Sequence, residues 1–138
     1  ELKRFIGLIF ATNVNPNKPS ELIKLAMTRA KFCELIAEES SSQLDVSIAF
    51  LTGLLSKIDA ILDESIESVL EKLPLAQEIK DCLLTKKGVL AALITLVTQI
   101  EHADWEKANF IMNKLTLKKD HVIKCYHHAV TWADEQIQ

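Results

Sequence analysis

Val46-Ser47-Ile48-Ala49-Phe50-Leu51-Thr52-Gly53-Leu54-Leu55-Ser56-Lys57-Ile58-Asp59-Ala60-Ile61-Leu62 is the stretch on which the fold turns. Ile48, Phe50, Leu51, Leu54, Leu55, Ile58 and Ile61 leave it almost no polar side. A helix apolar all round belongs in the middle of a domain, so one buried central helix is predicted over Val46–Leu62. Gly53 lies within it, where glycine costs up to about 1 kcal/mol relative to alanine. Its presence there points to close contact with a neighbouring helix.

Working outward, the same helical period continues in both directions. Leu2 to about Thr12 reads as a first helix, closed by the turn-rich Asn13-Val14-Asn15-Pro16-Asn17-Lys18-Pro19. Ser20 can cap a second helix reaching about Glu39, with Leu22, Ala26, Cys33, Ile36 and Ala37 at helical spacing. Ser40-Ser41-Ser42 breaks it. Beyond the central stretch, helices are predicted around Ile66–Leu73, Gln77–Leu84, Val89–His102, Trp105–Leu115 and Lys118–Ile137. No alternating strand pattern with Asn-Gly or Asp-Gly turns occurs. The expectation is an all-α, compact multi-helix array forming one domain over residues 1–138. The closing pair of helices loosely resembles one tetratricopeptide unit, but a solenoid needs about three stacked repeats.

Composition narrows the function classes. Hydrophobic residues at 49% and charged residues at 25% fit a globular core rather than a disordered chain. A formal charge of −3, with acids and bases mixed throughout, lacks the basic stripe that neutralises phosphates, so no nucleic-acid partner is expected. Cys33, Cys82 and Cys125 are odd in number and far apart, which predicts reduced thiols in a cytoplasmic setting. The longest apolar run, Val89 to Val97, is too short to span a bilayer and no membrane partner is expected.

The search for chemistry yields few constellations. Gly7, Gly53 and Gly88 are isolated and cannot build a phosphate-cradling nest. In the last helix His121, Cys125, His128 and Trp132 fall on one stripe, beside an apolar face of Val122, Tyr126, Ala129, Ala133 and Ile137. Imidazole and thiol suit a soft divalent ion, but His121 and His128 stand roughly 10 Å apart along the axis, too far to share one tetrahedral site. A packing stripe bordered by solvated histidines is the reading preferred. Glu38-Glu39 and Asp63-Glu64 are read as solvated helix ends rather than an acid–base pair, and Lys86-Lys87 and Lys118-Lys119 as ordinary surface charge.

The central stretch resembles the helix that bears the HD signature of metal-dependent phosphohydrolases. That pattern runs Ala-Phe-Leu-x-Gly-Leu-Leu, then His-Asp, then Ile-Gly. Ala49, Phe50, Leu51, Gly53, Leu54 and Leu55 keep the lead-in. The His-Asp pair is replaced by Ser56-Lys57 and the Ile-Gly by Ile58-Asp59. A neutral hydroxyl and an ammonium are poor ligands for a divalent cation, since two positive charges repel. The upstream histidine of the pattern would fall near Leu25 or Ala26, where no histidine occurs.

Degenerate domains of this kind are HDOD domains, and other segments are similar to them: Leu2-Lys3-Arg4-Phe5-Ile6-Gly7-Leu8, Arg29-Ala30-Lys31-Phe32-Cys33-Glu34, Leu73-Pro74-Leu75 and Ala129-Val130-Thr131-Trp132-Ala133. The last three look like the form found downstream of an EAL-type domain. The resemblance implies an N-terminally truncated HDOD domain, part of a longer chain. It further implies a non-catalytic regulatory module in bacterial cyclic di-GMP signalling, which is not an enzyme and carries no cofactor, no catalytic residue and no metal at the degenerate positions Ser56 and Lys57. Its partner would be another protein or an upstream EAL-type domain of the same chain, with a homodimer as a further option. Two alternatives compete. One is an HD-type phosphohydrolase with ligands rebuilt from His102 with Asp104 or Asp120 with His121; the other is a generic helical adaptor.

Overall fold

The computed structural model describes residues 20–39, 44–72 and 74–137. Among them are eight helices and no strand. They are α1 (Ser20–Glu39), α2 (Val46–Leu55), α3 (Ile58–Leu62), α4 (Ile66–Lys72), α5 (Gln77–Thr85), α6 (Val89–Glu101), α7 (Trp105–Lys114) and α8 (Lys119–Ile137). The all-helical array expected from the period is thus the observed one. The helix expected over Leu2–Thr12, the break at Ser40-Ser41-Ser42 and Leu73 lie outside the described residues.

The spine of the array is α1, with α2 on one flank, α8 on another and α6 also against it. Its buried stripe of Phe32, Cys33, Ile36 and Ala37 joins Ala49 of α2, Leu93, Leu96, Val97 and Ile100 of α6, and Val122, Cys125 and Ala129 of α8 in the largest core cluster. Aromatic rings fasten α8 to its neighbours edge to face. Phe32 meets Tyr126 at 6.3 Å between centroids, and Phe50 meets Trp132 at 6.0 Å. Edge contacts of this kind add about 0.5–1.5 kcal/mol beyond area burial. A further cluster, Leu55, Ile58, Val69 and Ile79, seats α3, α4 and α5 under the end of α2.

The start of α2 follows from Asp45, whose carboxylate accepts hydrogen bonds from the amides of Ser47 (2.9 Å) and Ile48 (3.1 Å). These are two of the donors that a helix start leaves unpaired. The single helix expected over Val46–Leu62 is corrected here, because helical geometry stops at Ser56-Lys57. The Ser56 amide turns back to the Gly53 carbonyl at 3.3 Å, and the Ser56 hydroxyl donates to that same carbonyl at 2.7 Å. Lys57 then takes φ −122° and ψ 14° before α3 begins. A short polar side chain that competes for a backbone carbonyl offers the chain an alternative to the helical ladder. Leu54, Leu55, Ile58 and Ile61 are fully buried all the same, so the segment remains central.

Gly53 does what its position suggested. A Cβ built there would stand 2.6 Å from the Arg29 carbonyl oxygen and 2.9 Å from the Ala30 Cα, both backbone atoms of α1. The two helices therefore touch backbone to backbone. Helix ends were less legible, and the reason is visible at four non-glycine residues with positive φ: Asp63, Lys86, Ala103 and Thr116. They terminate α3, α5, α6 and α7 in the left-handed conformation that usually calls for glycine. No single helix among the described residues is long and apolar enough to cross a membrane.

Replacing Gly53 by alanine sets two effects against each other. Helix propensity favours alanine by about 1 kcal/mol, whereas forcing a methyl into packed backbone costs about 1–3 kcal/mol or more. Contact at 2.6 Å with a rigid carbonyl decides the sign. Urea unfolding of Gly53→Ala is expected to show a net loss of about 1–2 kcal/mol, and unchanged or higher stability would mean that α1 and α2 do not meet as described.

Candidate functional site

Close approach at Gly53 brings the first half of α1 over the α2–α3 break, and Arg29 is the residue that uses it. Arg29 is 4% exposed, on a helix face shared with Ala26, Ala30 and Cys33. Its Nε donates to Glu101 Oε2 at 3.0 Å and its Nη2 to Glu101 Oε1 at 2.7 Å. The remaining nitrogen, Nη1, donates to the Ser56 hydroxyl at 3.3 Å. One side chain thus ties α1 to the last residue of α6 and to the turn between α2 and α3.

A bidentate guanidinium–carboxylate pair is the strongest form of such contact, because two parallel charge-assisted bonds also fix orientation. Its side chains are only 5% and 10% exposed, so each charge depends on the other in place of water. Ser56, at a position where the HD pattern has a metal ligand, is committed to the Gly53 carbonyl and to a guanidinium. Among the described residues no group of three or more His, Cys, Asp or Glu side chains is placed to hold a metal ion.

Beside this pair lies a cleft of about 470 Å³, within the range that accommodates small molecules. Arg29, Ser56 and Lys57 form one part of its lining, and Thr95, Thr98 and Gln99 of α6 another. Lys86, exposed as expected of surface charge, also lines it. Lys87, Lys118 and Lys119 are exposed. Lys119 rests its ammonium 5.3 Å from the centre of the Trp105 ring.

Other expected residues fall elsewhere. The His121, Cys125, His128 and Trp132 stripe divides. His121 Nε2 lies 3.6 Å from Cys125 Sγ and 3.4 Å from Glu39 Oε2, while His128 is exposed and Trp132 packs on Phe50. Glu39 accordingly has a partner in His121 rather than solvent alone. Asp63 closes α3 in the left-handed region, and Glu64 pairs with Lys72 at 2.8 Å. The rebuilt-ligand pairs do not converge on one site: His102 is exposed at the end of α6, Asp104 caps α7 through the Lys107 amide, and Asp120 is exposed in the first turn of α8.

All three thiols are free and buried. Burial pushes Cys33 up to about 12, opposed in part by Arg29 and aided by Cys82 and Glu101. Burial likewise pushes Cys82 up to about 11, and Cys125 is raised by burial first and then by Glu39 and Glu38. Cys125 is therefore held as a thiol beside His121 and not activated as a thiolate nucleophile.

The residues that sequence reasoning passed over are Arg29 as a site residue and Glu101. A signal existed: each carries a charge three or four residues from buried apolar neighbours, Ala26 and Cys33 for Arg29, Val97 for Glu101. Two opposite charges on the buried faces of two helices are best placed against each other.

Comparison with known proteins adds a relationship. The chain is 40% identical over 106 residues to the cyclic di-GMP phosphodiesterase CdgJ of Vibrio cholerae, a match covering 77% of the chain and 24% of that protein. It is 32% identical over 135 residues to the uncharacterized protein YuxH of Bacillus subtilis, covering 96% of the chain and 32% of that protein. The chain thus spans about a quarter to a third of the length of these relatives. No family model and no solved structure matches. The relationship ties the chain to a bacterial protein of cyclic di-GMP signalling. It also overturns the expectation that the chain is not an enzyme: a relative that it matches over most of its length carries the name of a phosphodiesterase, though the chain covers only a part of it.

Two outcomes are expected from this geometry. Arg29→Met and Glu101→Leu, each alone, should lower stability by about 3–5 kcal/mol by stranding a buried charge, and the double variant should recover most of that loss; additive losses in a denaturation cycle would show that the pair is not coupled. Separately, the thiols should resist iodoacetamide at pH 8 until denaturant is added. Because the folded pKa of Cys33 is raised, its contribution to stability is intact below about pH 9 and falls away as pH rises towards about 12. Rapid alkylation of the native protein at pH 8 would contradict the burial described.

Proposed function

We propose that this chain is an HDOD-type regulatory module of a cyclic di-GMP-linked signalling protein, controlling phosphodiesterase output through helix-face contacts with an EAL-type domain. The observation that carries this reading is the 40% identity to a stretch of a protein named a cyclic di-GMP phosphodiesterase. Supporting it, the helix that resembles the HD signature carries Ser56 and Lys57, and the Ser56 hydroxyl is engaged by Arg29. A module fastened by a buried ion pair between α1 and α6 is suited to moving or holding a neighbour as a rigid body.

We place such contact on α7, where the Phe110 side chain is 70% exposed. In the full-length protein, Phe110→Asp should leave stability within about 0.5 kcal/mol, as surface changes usually do. It should shift the rate of cyclic di-GMP hydrolysis by severalfold. A variant with unaltered turnover, alongside an Arg29→Met variant with equally unaltered turnover, would contradict regulation by this module.

A further inference from the structure

The cleft beside Arg29 has a division of polarity that the regulatory reading does not use. Two ammonium groups line it, Lys57 from the α2–α3 break and Lys86 from the cap of α5, against the one carboxylate of Asp59. Neither lysine's ammonium group has a hydrogen-bond or ion-pair partner among the described residues, whereas the third cation of the lining, Arg29, is neutralised by Glu101. Lys57 is half-buried and Lys86 exposed, and an excess of positive charge along a concave surface favours an anion.

The α6 portion of the lining presents acceptors instead. The Thr95 and Thr98 hydroxyls give their protons to the carbonyls of Ala91 (3.0 Å) and Ile94 (2.8 Å), so only their oxygen lone pairs remain for an occupant. Gln99, which lines the same cleft, keeps a buried Oε1 with no hydrogen-bond partner. A buried acceptor without a donor costs about 1–3 kcal/mol, which a rotation of the side chain towards a donor in the cleft would recover. Ile66, Leu83, Ala91 and Ile94 supply the apolar remainder of the lining. They suit a flat body of low polarity between an anionic end and an N–H- or O–H-bearing end.

We infer that this cleft binds a nucleoside monophosphate, with the phosphate held by Lys57 and Lys86, the base against the apolar lining, and N–H or O–H donors met by Gln99, Thr95 and Thr98. The site lies where the chain carries Ser56-Lys57 in place of the HD pair. It would make the module's state depend on a small ligand. The inference rests on the cleft's lining alone and stands or falls independently of the EAL-type partner.

Isothermal titration of the full chain with guanosine monophosphate and adenosine monophosphate tests it, with ribose phosphate and inorganic phosphate as the comparison arms. At least one nucleotide is expected to bind, and Lys57→Gln and Lys86→Gln should each weaken it by about tenfold, the scale of one lost charge-assisted contact. Thermal unfolding of the two variants, whose lysines hold no other element in place, should match the parent and so separate lost binding from lost folding. Failure of both nucleotides to bind at millimolar concentration overturns the inference. So does binding that neither lysine variant weakens, or binding of ribose phosphate or inorganic phosphate as tight as that of the nucleotides.

Discussion

Backbone contact between α1 and α2 at Gly53 is the constraint from which the rest of the structure follows. With no side chain at that point, the Arg29 carbonyl and the Ala30 Cα come within a distance that no other residue would allow. Two consequences are immediate. The apolar α2 is sealed against the spine of the array, and the Arg29 side chain is delivered to the turn at Ser56. A longer separation of the two helices would leave the guanidinium short of Ser56 and its charge without a complete set of acceptors.

Arg29 then carries the connection outward. Its pairing with Glu101 reaches across to the end of α6, so helices distant in sequence share one polar fastening inside an otherwise apolar interior. Such a pair is weak evidence of stability, since two charges lose their hydration to form it, but it discriminates strongly between the correct arrangement and any that separates them. The same fastening borders the cleft, so an occupant of the cleft would sit against the element that holds α1, α2 and α6 in register.

Much of this was legible in the residues. The continuous apolar character of Ile48 to Ile61 placed that segment at the centre, and Gly53 within it marked a close neighbour; both are what the structure contains. The break at Ser56-Lys57 was not, because apolar periodicity runs through it unchanged while the interruption depends on a hydroxyl bonding to a carbonyl three residues back. Helix ends at Asp63, Lys86, Ala103 and Thr116 gave no glycine signal, since those residues take the left-handed conformation without one. The Arg29–Glu101 pair joins residues 72 positions apart, and no local pattern reveals which buried charge meets which. Lys86 is a surface lysine, as its sequence suggested, but only the fold shows that it stands at a cleft.

Arg29 holds its guanidinium inside the fold, bonded to the serine that stands where the HD pattern has a metal ligand. Side-chain NMR of a protein labelled with nitrogen-15 at arginine observes that group directly. A buried Arg29 bonded to Glu101 should give a resolved Nε–H signal that exchanges slowly with water near neutral pH and that moves or vanishes in Glu101→Gln, with free arginine as the comparison. An Arg29 Nε–H that exchanges as fast as a free arginine, or that ignores the loss of Glu101, would contradict that placement.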